Sequence, residues 1–327
     1  MLPNGFAGKI LKYYQRLPEP SNKMENKDRH EHLVSVIIPN FNRWPHICDA
    51  IDSVIGQTYQ NVECIVVDDA STDGSPEKIA DKYRHNPEIN IEKLYTNTGQ
   101  SRARNHGAQI AKGKLVCFLD SDDILPTSSI EDRVSVFNEE QGFNGISFGE
   151  NQVNDKPSTR SSKKEKLEHL TLDEYLDDRG WLHTNAFMMP TAEFKNLGGF
   201  NENLRQREDI EFFIRSLCHL PAKYCGTTVS SMRAVDKHRA RHDYEKIIAQ
   251  GHGFYHALSC NTTLHDKASP KVLNSTLRRS LDSYLNALYK TKNYKEYRKE
   301  ITFLVANRTI SPSRKQMKRY LVSFIKY

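Results

Sequence analysis

The chain has 327 residues, of which 27% are charged and 9% aromatic, the balance of a folded globular protein rather than a disordered one. Its net charge of +6 is divided unevenly: residues 1–235 hold 28 Lys+Arg against 34 Asp+Glu, and residues 236–327 hold 19 against 7. No apolar run approaches the roughly 20 residues of a membrane span, and no secretory leader is read at the start, so the expected location is the cytoplasmic side.

In chain order, residues 1–32 read as an amphipathic segment (Phe6, Ile10, Leu11, Tyr14 and Leu17 among Lys9, Lys12 and Arg16) and a polar linker. Leu33–Ile38 is a buried strand closed by Pro39-Asn40-Phe41-Asn42. Ile47, Ala50, Ile51, Val54 and Ile55 stripe a helix over 46–59. Cys64–Val67 is a second strand, running into Asp68-Asp69-Ala70-Ser-Thr-Asp73-Gly74, with Ser75 and Pro76 as N-cap and first residue of the next helix. A third strand near Ile91–Tyr95 leads through Asn97-Thr-Gly99 to a helix over Gln100–Lys112.

Leu115–Leu119 is apolar throughout, a strand buried on both faces, and it runs straight into Asp120-Ser-Asp122-Asp123. Residues two apart on an extended chain share a face, so Asp120 and Asp122 point together. Paired oxygen donors suit a hard divalent cation, and the carboxyl end of a strand is where open α/β sheets hold ligands. A lone Asp-x-Asp also describes a polar turn after a core strand, so the surrounding pattern has to decide. The β-α alternation predicts an α/β fold with a mostly parallel sheet and helices on both faces. A Gly-x-Gly-x-x-Gly after the first strand and a P-loop are both missing, so phosphates would be held by a metal and basic side chains.

Further on, 151–168 is a long polar loop, read as a cover for a donor. Ile210, Phe213, Ile214 and Leu217 stripe a helix whose first turn holds Glu208 and Asp209, where acidic residues also complement the helix dipole. Residues 236–327 read as basic helices, capped at Ser269-Pro270 and Ser311-Pro312. Lys290–Tyr327 alone holds 11 Lys+Arg and 2 Asp+Glu, a composition suited to peripheral contact with an anionic membrane. No nucleic-acid module accompanies that charge, so no nucleic acid is expected. The six cysteines lack Cys-x-x-Cys spacing and read as reduced thiols.

Six ordered blocks resemble the family 2 glycosyltransferases of GT-A fold: Val34–Asn42, Ser53–Tyr59, Ile65–Gly74, Asn97–Gly99, Ala103–Gly107 and Phe118–Asp123. Phe41 stands where that family usually has tyrosine, and Ala70 where it usually has glycine. The resemblance implies a GT-A domain over 33–235, flanked by 1–32 and a C-terminal helical extension, 236–327. It implies that Pro39, Asn40 and Phe41 line the nucleotide base and that Asp69 accepts from a uracil ring. It puts Arg104 near the nucleotide or diphosphate, Asp120 at the ribose or metal, and Asp122 on a Mn²⁺ or Mg²⁺ ion. Gly198-Gly-Phe-Asn-Glu202 and Arg207-Glu208-Asp209 resemble the family's acceptor half, with Asp209 as general base and Glu208 as the alternative or an acceptor ligand. His183 and Asn185 fall where acceptor contacts are built. An Arg-x-His element is broken at Arg233-Ala-Val235, with His238 as a substitute.

The implied activity is inverting, non-processive transfer of a sugar from a nucleotide sugar, expected to be a UDP-sugar, to a glycan or lipid-linked saccharide. Two rivals stand beside it. A sugar-nucleotide nucleotidyltransferase would carry a Gly-x-Gly-Thr-Arg segment, which is missing here. A non-catalytic nucleotide- or membrane-binding module would have no need of the Asp-Ser-Asp and Glu-Asp pairs.

Overall fold

The structure is a computed structural model that describes residues 32–140, 142–153, 156–157, 167–233, 244–306 and 312–325. All of these belong to one compact unit, His32–Tyr327. The amphipathic segment 1–20, most of the 151–168 loop and His238 lie outside the described residues.

Strands β1 (Val34–Asn40), β2 (Val62–Asp68), β3 (Ile89–Lys93) and β4 (Leu115–Phe118) run parallel in the order β3-β2-β1-β4, with Asn40 level with Asp68. Helices α1 (His46–Ile55), α2 (Ser75–Lys82) and α3 (Gln100–Ile110) make the crossovers between them. Side chains alternate between the two faces. Val36, Ile38, Val66 and Cys117 join the core under α1 and α2, while Ile37, Ile65, Val67 and Phe118 join the core under α3. The sheet is therefore buried on both sides, as the unbroken apolar runs require.

The third strand sits two residues earlier than predicted, and Tyr95, placed in it by the sequence reading, is fully exposed. Helix α1 stops at Ile55 rather than residue 59, because Gln57 turns back into the protein. Its Nε2 donates to the carbonyls of Ser53 and Pro126 at 2.8 Å, and its Oε1 accepts from the amide of Ile130 at 2.9 Å. Gly107 in α3 lies flat on β1: a Cβ built there would meet Ile37 Cγ2 at 2.5 Å and Val67 Cγ2 at 3.1 Å. Gly107→Ala is expected to lower stability by about 1–3 kcal/mol, the usual cost of overpacking, read by chemical denaturation.

Beyond β4 the order changes hand. After α4 (Ser129–Glu139), β5 (Ile146–Val153) and β7 (Phe187–Pro190) enter with β7 antiparallel to both β4 and β5. The short β6 (Lys156–Pro157) and the long β8 (Ala222–Met232) complete the sheet against β5, β8 in parallel. Between them lie α5 (Leu172–Leu176), α6 (Thr191–Asn196) and α7 (Glu208–Leu217). An aromatic cluster fastens α7 to the sheet: Phe212 packs on Phe200 with centroids 4.7 Å apart, and Phe213 meets Phe187 edge-on at 5.0 Å.

The C-terminal helices are α8 (Tyr244–Gln250), α9 (Gly253–Ser259), α10 (Thr262–Lys267), α11 (Pro270–Lys290), α12 (Tyr294–Ala306) and α13 (Arg314–Ile325). Phe254, Leu258, Leu264 and Leu273 join the same core as α7, whereas Leu285, Leu288, Tyr297, Ile301 and Leu304 form a core of their own. Ser269 occupies the N-cap position of α11, with Pro270 as the first helical residue, but its side chain makes no capping hydrogen bond. The last helix begins at Arg314 and is capped by Ser313, while Ser311, the expected cap, lies outside the described residues. Ser313 Oγ accepts from the amide of Gln316 at 3.3 Å while Gln316 Oε1 accepts from the amide of Ser313 at 2.6 Å, a reciprocal capping box. No helix among the described residues is long and apolar enough to cross a membrane.

Candidate active site

The candidate residues gather at the carboxyl ends of β1, β2 and β4, the edge of an open α/β sheet where crossovers leave a crevice. At the end of β1, Asn40 is buried and its amide donates to Asp68 Oδ1 at 2.7 Å and Ser71 Oγ at 3.2 Å, which locks the two strand ends together. Its carbonyl oxygen, Asn40 Oδ1, is buried without a hydrogen-bond partner. Next to it Phe41 leaves the sheet with its side chain exposed, so a ring face is presented to solvent.

Asp69 is buried, and its carboxylate holds the Asn97-Thr-Gly99 turn. Oδ1 accepts from the amide and hydroxyl of Thr98 at 2.8 and 3.0 Å, and Oδ2 accepts from the amide of Gly99 at 2.7 Å. Three of the roughly four acceptor positions of a carboxylate are thus taken, leaving one on Oδ2 for a ligand. Ala70 follows with φ +61°, a left-handed conformation that explains why glycine suits this position better.

Arg104, expected near the nucleotide or diphosphate, is held inside the protein. Rather than reaching into the crevice, it is 2% exposed. Its Nη2 donates to Asp120 Oδ1 at 2.6 Å, its Nη1 lies 3.5 Å from Glu208 Oε1, and the guanidinium sits over the Phe200 ring at 5.4 Å. Burial by itself would lower the pKa of Arg104, but Asp120 and Glu208 more than offset this and hold it raised, so the bridge stays charged. Gln100, one turn earlier on α3, adds a second link by donating to Glu208. One buried cation therefore ties the end of β4 to the start of α7.

Asp120 and Asp122 each keep about a third of their side chain exposed (32%), and Asp122 lies 3.7 Å from Arg43. Asp123 points inward. Asn185 Nδ2 donates to its Oδ2 at 2.6 Å and the amide of Arg233 donates to its Oδ1 at 3.0 Å. Burial, then the negative charges of Asp120 and Asp122, push Asp123 up to about 8. Among the described residues no three His, Cys, Asp or Glu side chains converge into a closed metal site. The donors still fit an open one. Mg²⁺-type ions are commonly held by one or two carboxylates plus substrate phosphates and water, and a cation would relieve the crowding of negative charge that Asp123 registers.

Asn185, expected on the acceptor side, is fully buried with both ends of its amide committed: Oδ1 accepts from the backbone of Asp120 at 3.0 Å, and Nδ2 holds Asp123. It shapes the aspartate loop from behind. His183 caps the short turn beside it, with Nδ1 accepting from the amide of Asn185 at 3.2 Å. Arg233 braces the same loop, its Nη1 donating to Asp49 at 2.7 Å and its Nε to the carbonyl of Asp122 at 3.3 Å.

At the start of α7, Glu208 is buried and Asp209 half-buried. Burial, then Asp209, raise the pKa of Glu208, opposed by Arg104. Asp209 Oδ1 accepts from the amide of Ile210 at 2.8 Å. The residues just before this pair are anchored by the C-terminal helices, a role that no sequence motif signals. The amide of Gln206 donates to Gln250 Oε1 at 2.7 Å, and Arg207 Nη2 donates to Ser283 Oγ at 2.6 Å while stacking over Phe254. Arg207 itself has φ +62°, so these contacts hold a strained backbone that aims the acid pair.

The glycosyl transferase family 2 model matches residues 35–194. An uncharacterized glycosyltransferase of Rickettsia felis is 31% identical over 202 residues, 59% of this chain and 32% of that protein, so the chain spans about a third of the first curated relatives' length. S. aureus TarS, solved in complex with UDP-GlcNAc, superposes with a TM-score of 0.61 at 21% identity, covering 79% of this chain and 80% of that one. A mannosyltransferase of Pyrobaculum calidifontis, solved with GDP-Man and Mn²⁺, does so with a TM-score of 0.53 at 17% identity, over 98% of this chain and 94% of its own. Residues 35–194, which hold the strand ends and the aspartate loop, thus match the glycosyl transferase family 2 model, and the fold is the GT-A fold of these solved glycosyltransferases.

Proposed function

We propose that this protein is an inverting, metal-dependent glycosyltransferase that moves one sugar from a nucleotide-sugar donor to a hydroxyl of a glycan or lipid-linked saccharide. The carrying observation is the Arg104 bridge, which fixes the crevice carboxylate Asp120 and the α7 acid pair in one rigid unit. A donor lying at the strand ends would then meet an acceptor presented at Asp209. Phe41 offers a ring face to the base and Pro39 and Asn40 shape the floor beneath it. The remaining acceptor position on Asp69 suits the imide N–H of uracil, which makes a UDP-sugar the first donor to test; a guanine nucleotide, as in the Pyrobaculum mannosyltransferase, is the alternative.

Asp122 and Asp120 would hold Mn²⁺ or Mg²⁺. When bound, the ion neutralises the charge that grows on the diphosphate leaving group. Asp209 takes the proton from the acceptor hydroxyl as its oxygen forms the new bond to the anomeric carbon and the carbon–diphosphate bond breaks. Glu208, paired with Arg104, keeps the helix start in place and stays out of the proton transfer. Attack opposite the leaving group inverts the anomeric configuration. A basic-tailed enzyme of this design would serve surface polysaccharide synthesis, one sugar per encounter.

The test is a thermal-shift panel with UDP, GDP, dTDP and CDP, each with and without Mn²⁺. A ligand at about 100 times its dissociation constant stabilises by about 2.7 kcal/mol, a visible rise in melting temperature. The expected result is a shift with UDP that requires Mn²⁺ and is lost in Asp122→Ala. Release of pyrophosphate instead of a nucleoside diphosphate during turnover would favour a nucleotidyltransferase, and no shift with any nucleotide would remove the donor site.

A further inference from the structure

The last helix carries a surface that the strand-end site does not use. Which side of α13 faces the protein is fixed by contacts. Tyr297 Oη donates to the carbonyl of Gln316 at 3.1 Å, Arg298 donates to the carbonyl of Ser323 at 2.7 Å, and Arg319 stacks over Tyr289 at 4.7 Å. Met317 and Leu321 on the outward side, and Phe324 at its edge with the Arg298 guanidinium over one ring face at 4.8 Å, follow one another at helical spacing and are 37%, 63% and 57% exposed. Arg314, Lys315 and Lys318 are exposed alongside them, and α13 contains no acidic residue. Neighbouring α12 adds exposed Lys295 and Lys299, as well as Phe303 and Val305 at its end.

This pairing of groups narrows the partner. A merely solvated basic face has no use for an exposed leucine and phenylalanine one turn apart. A symmetric pairing of two copies through the patch would set its cations against themselves, since a twofold interface brings the same surface together. Nucleic acid would engage the cations but give Met317 and Leu321 nothing to bury against. An anionic lipid surface satisfies both parts at once. The apolar side chains enter the acyl boundary while the long cationic ones extend to the headgroup phosphates.

We propose that α13 docks the protein peripherally on an anionic lipid surface, with Met317, Leu321 and Phe324 inserted and Arg314, Lys315 and Lys318 on lipid phosphates. The proposal is independent of the sugar-transfer reading, because its readout is binding to lipid. The full chain would be co-sedimented with vesicles of phosphatidylcholine alone and of equal parts phosphatidylcholine and phosphatidylglycerol. Binding is expected only to the mixed vesicles, and to fall as salt is raised. Arg314→Gln/Lys315→Gln/Lys318→Gln should weaken it by about 100-fold, at about fivefold per charge. Met317→Ser/Leu321→Ser should weaken it by about tenfold or more with every charge retained. These side chains are exposed, so unchanged melting temperatures are expected and confirm that the variants are folded. Failure of the full chain to bind mixed vesicles, binding that neither variant weakens, or Leu321-dependent self-association in sedimentation velocity would each overturn the proposal.

Discussion

Asp209→Asn is expected to abolish sugar transfer while leaving nucleotide binding nearly intact. The substitution keeps size and keeps an acceptor oxygen for the amide of Ile210, which Asp209 Oδ1 engages at 2.8 Å, so the start of α7 should hold its shape. What it removes is the ability to take a proton. General-base assistance typically contributes about 10²–10⁴ in rate, and the loss should appear in turnover with little change in the apparent affinity for donor. Glu208→Gln is the informative companion. Glu208 is buried against Gln100 and Arg104, so its loss should act through stability and the geometry of the helix start. If Asp209→Asn turns over near the wild-type rate and Glu208→Gln does not, the base belongs at 208. Turnover and the nucleotide-induced thermal shift, measured on the same preparations, separate a lost base from a lost fold.

Much of the first half of this architecture is legible in the sequence because the forces involved are local. Val34–Asn40 and Leu115–Phe118 are unbroken apolar runs ended by polar residues, and a strand buried on both faces has no other way to read. The boundaries moved where a single side chain intervened, as Gln57 does at the end of α1 and Ser313 at the start of α13. The reversal at β7 could not be read. Phe187–Pro190 is a short apolar run whose direction is set by pairing with β4 and β5, and nothing local encodes it.

The same limit applies to the site. Asp120 and Asp122 announce themselves by their position after a core strand. Arg104 was visible as a motif residue, but its burial and its two partners, on β4's end and on α7, come from tertiary packing across 16 and 104 positions of sequence. Only the family resemblance places Asn185 on the acceptor side, and its bracing of the aspartate loop from inside comes from tertiary packing. The Gln206–Gln250 and Arg207–Ser283 links join segments that share no periodicity or motif, so only the folded chain reveals that the C-terminal helices help to aim the acid pair.

Arg104→Met should have the largest effect on stability, because it strands two carboxylates that the wild type neutralises with one cation. Methionine fills similar volume over the Phe200 ring, so the loss would be electrostatic rather than a cavity. Removing one partner of a buried ion pair typically costs about 3–5 kcal/mol. For a chain of this size that corresponds to a fall in melting temperature of roughly 5–15 °C. Arg104→Lys should recover little, since an ammonium is a point charge and cannot fork between Asp120 Oδ1 and Glu208 Oε1. The decisive comparison is the double variant Arg104→Met/Glu208→Gln. Neutralising Glu208 removes one of the stranded charges, so stability should partly return, a coupling that a double-mutant cycle reads directly. Transfer activity should not return, because Asp120 would still lack its tether to α3. A single Arg104→Met variant with wild-type melting temperature and turnover would show that the guanidinium bridge carries neither stability nor geometry. Loss of stability with full activity retained would keep the structural role and detach it from the reaction.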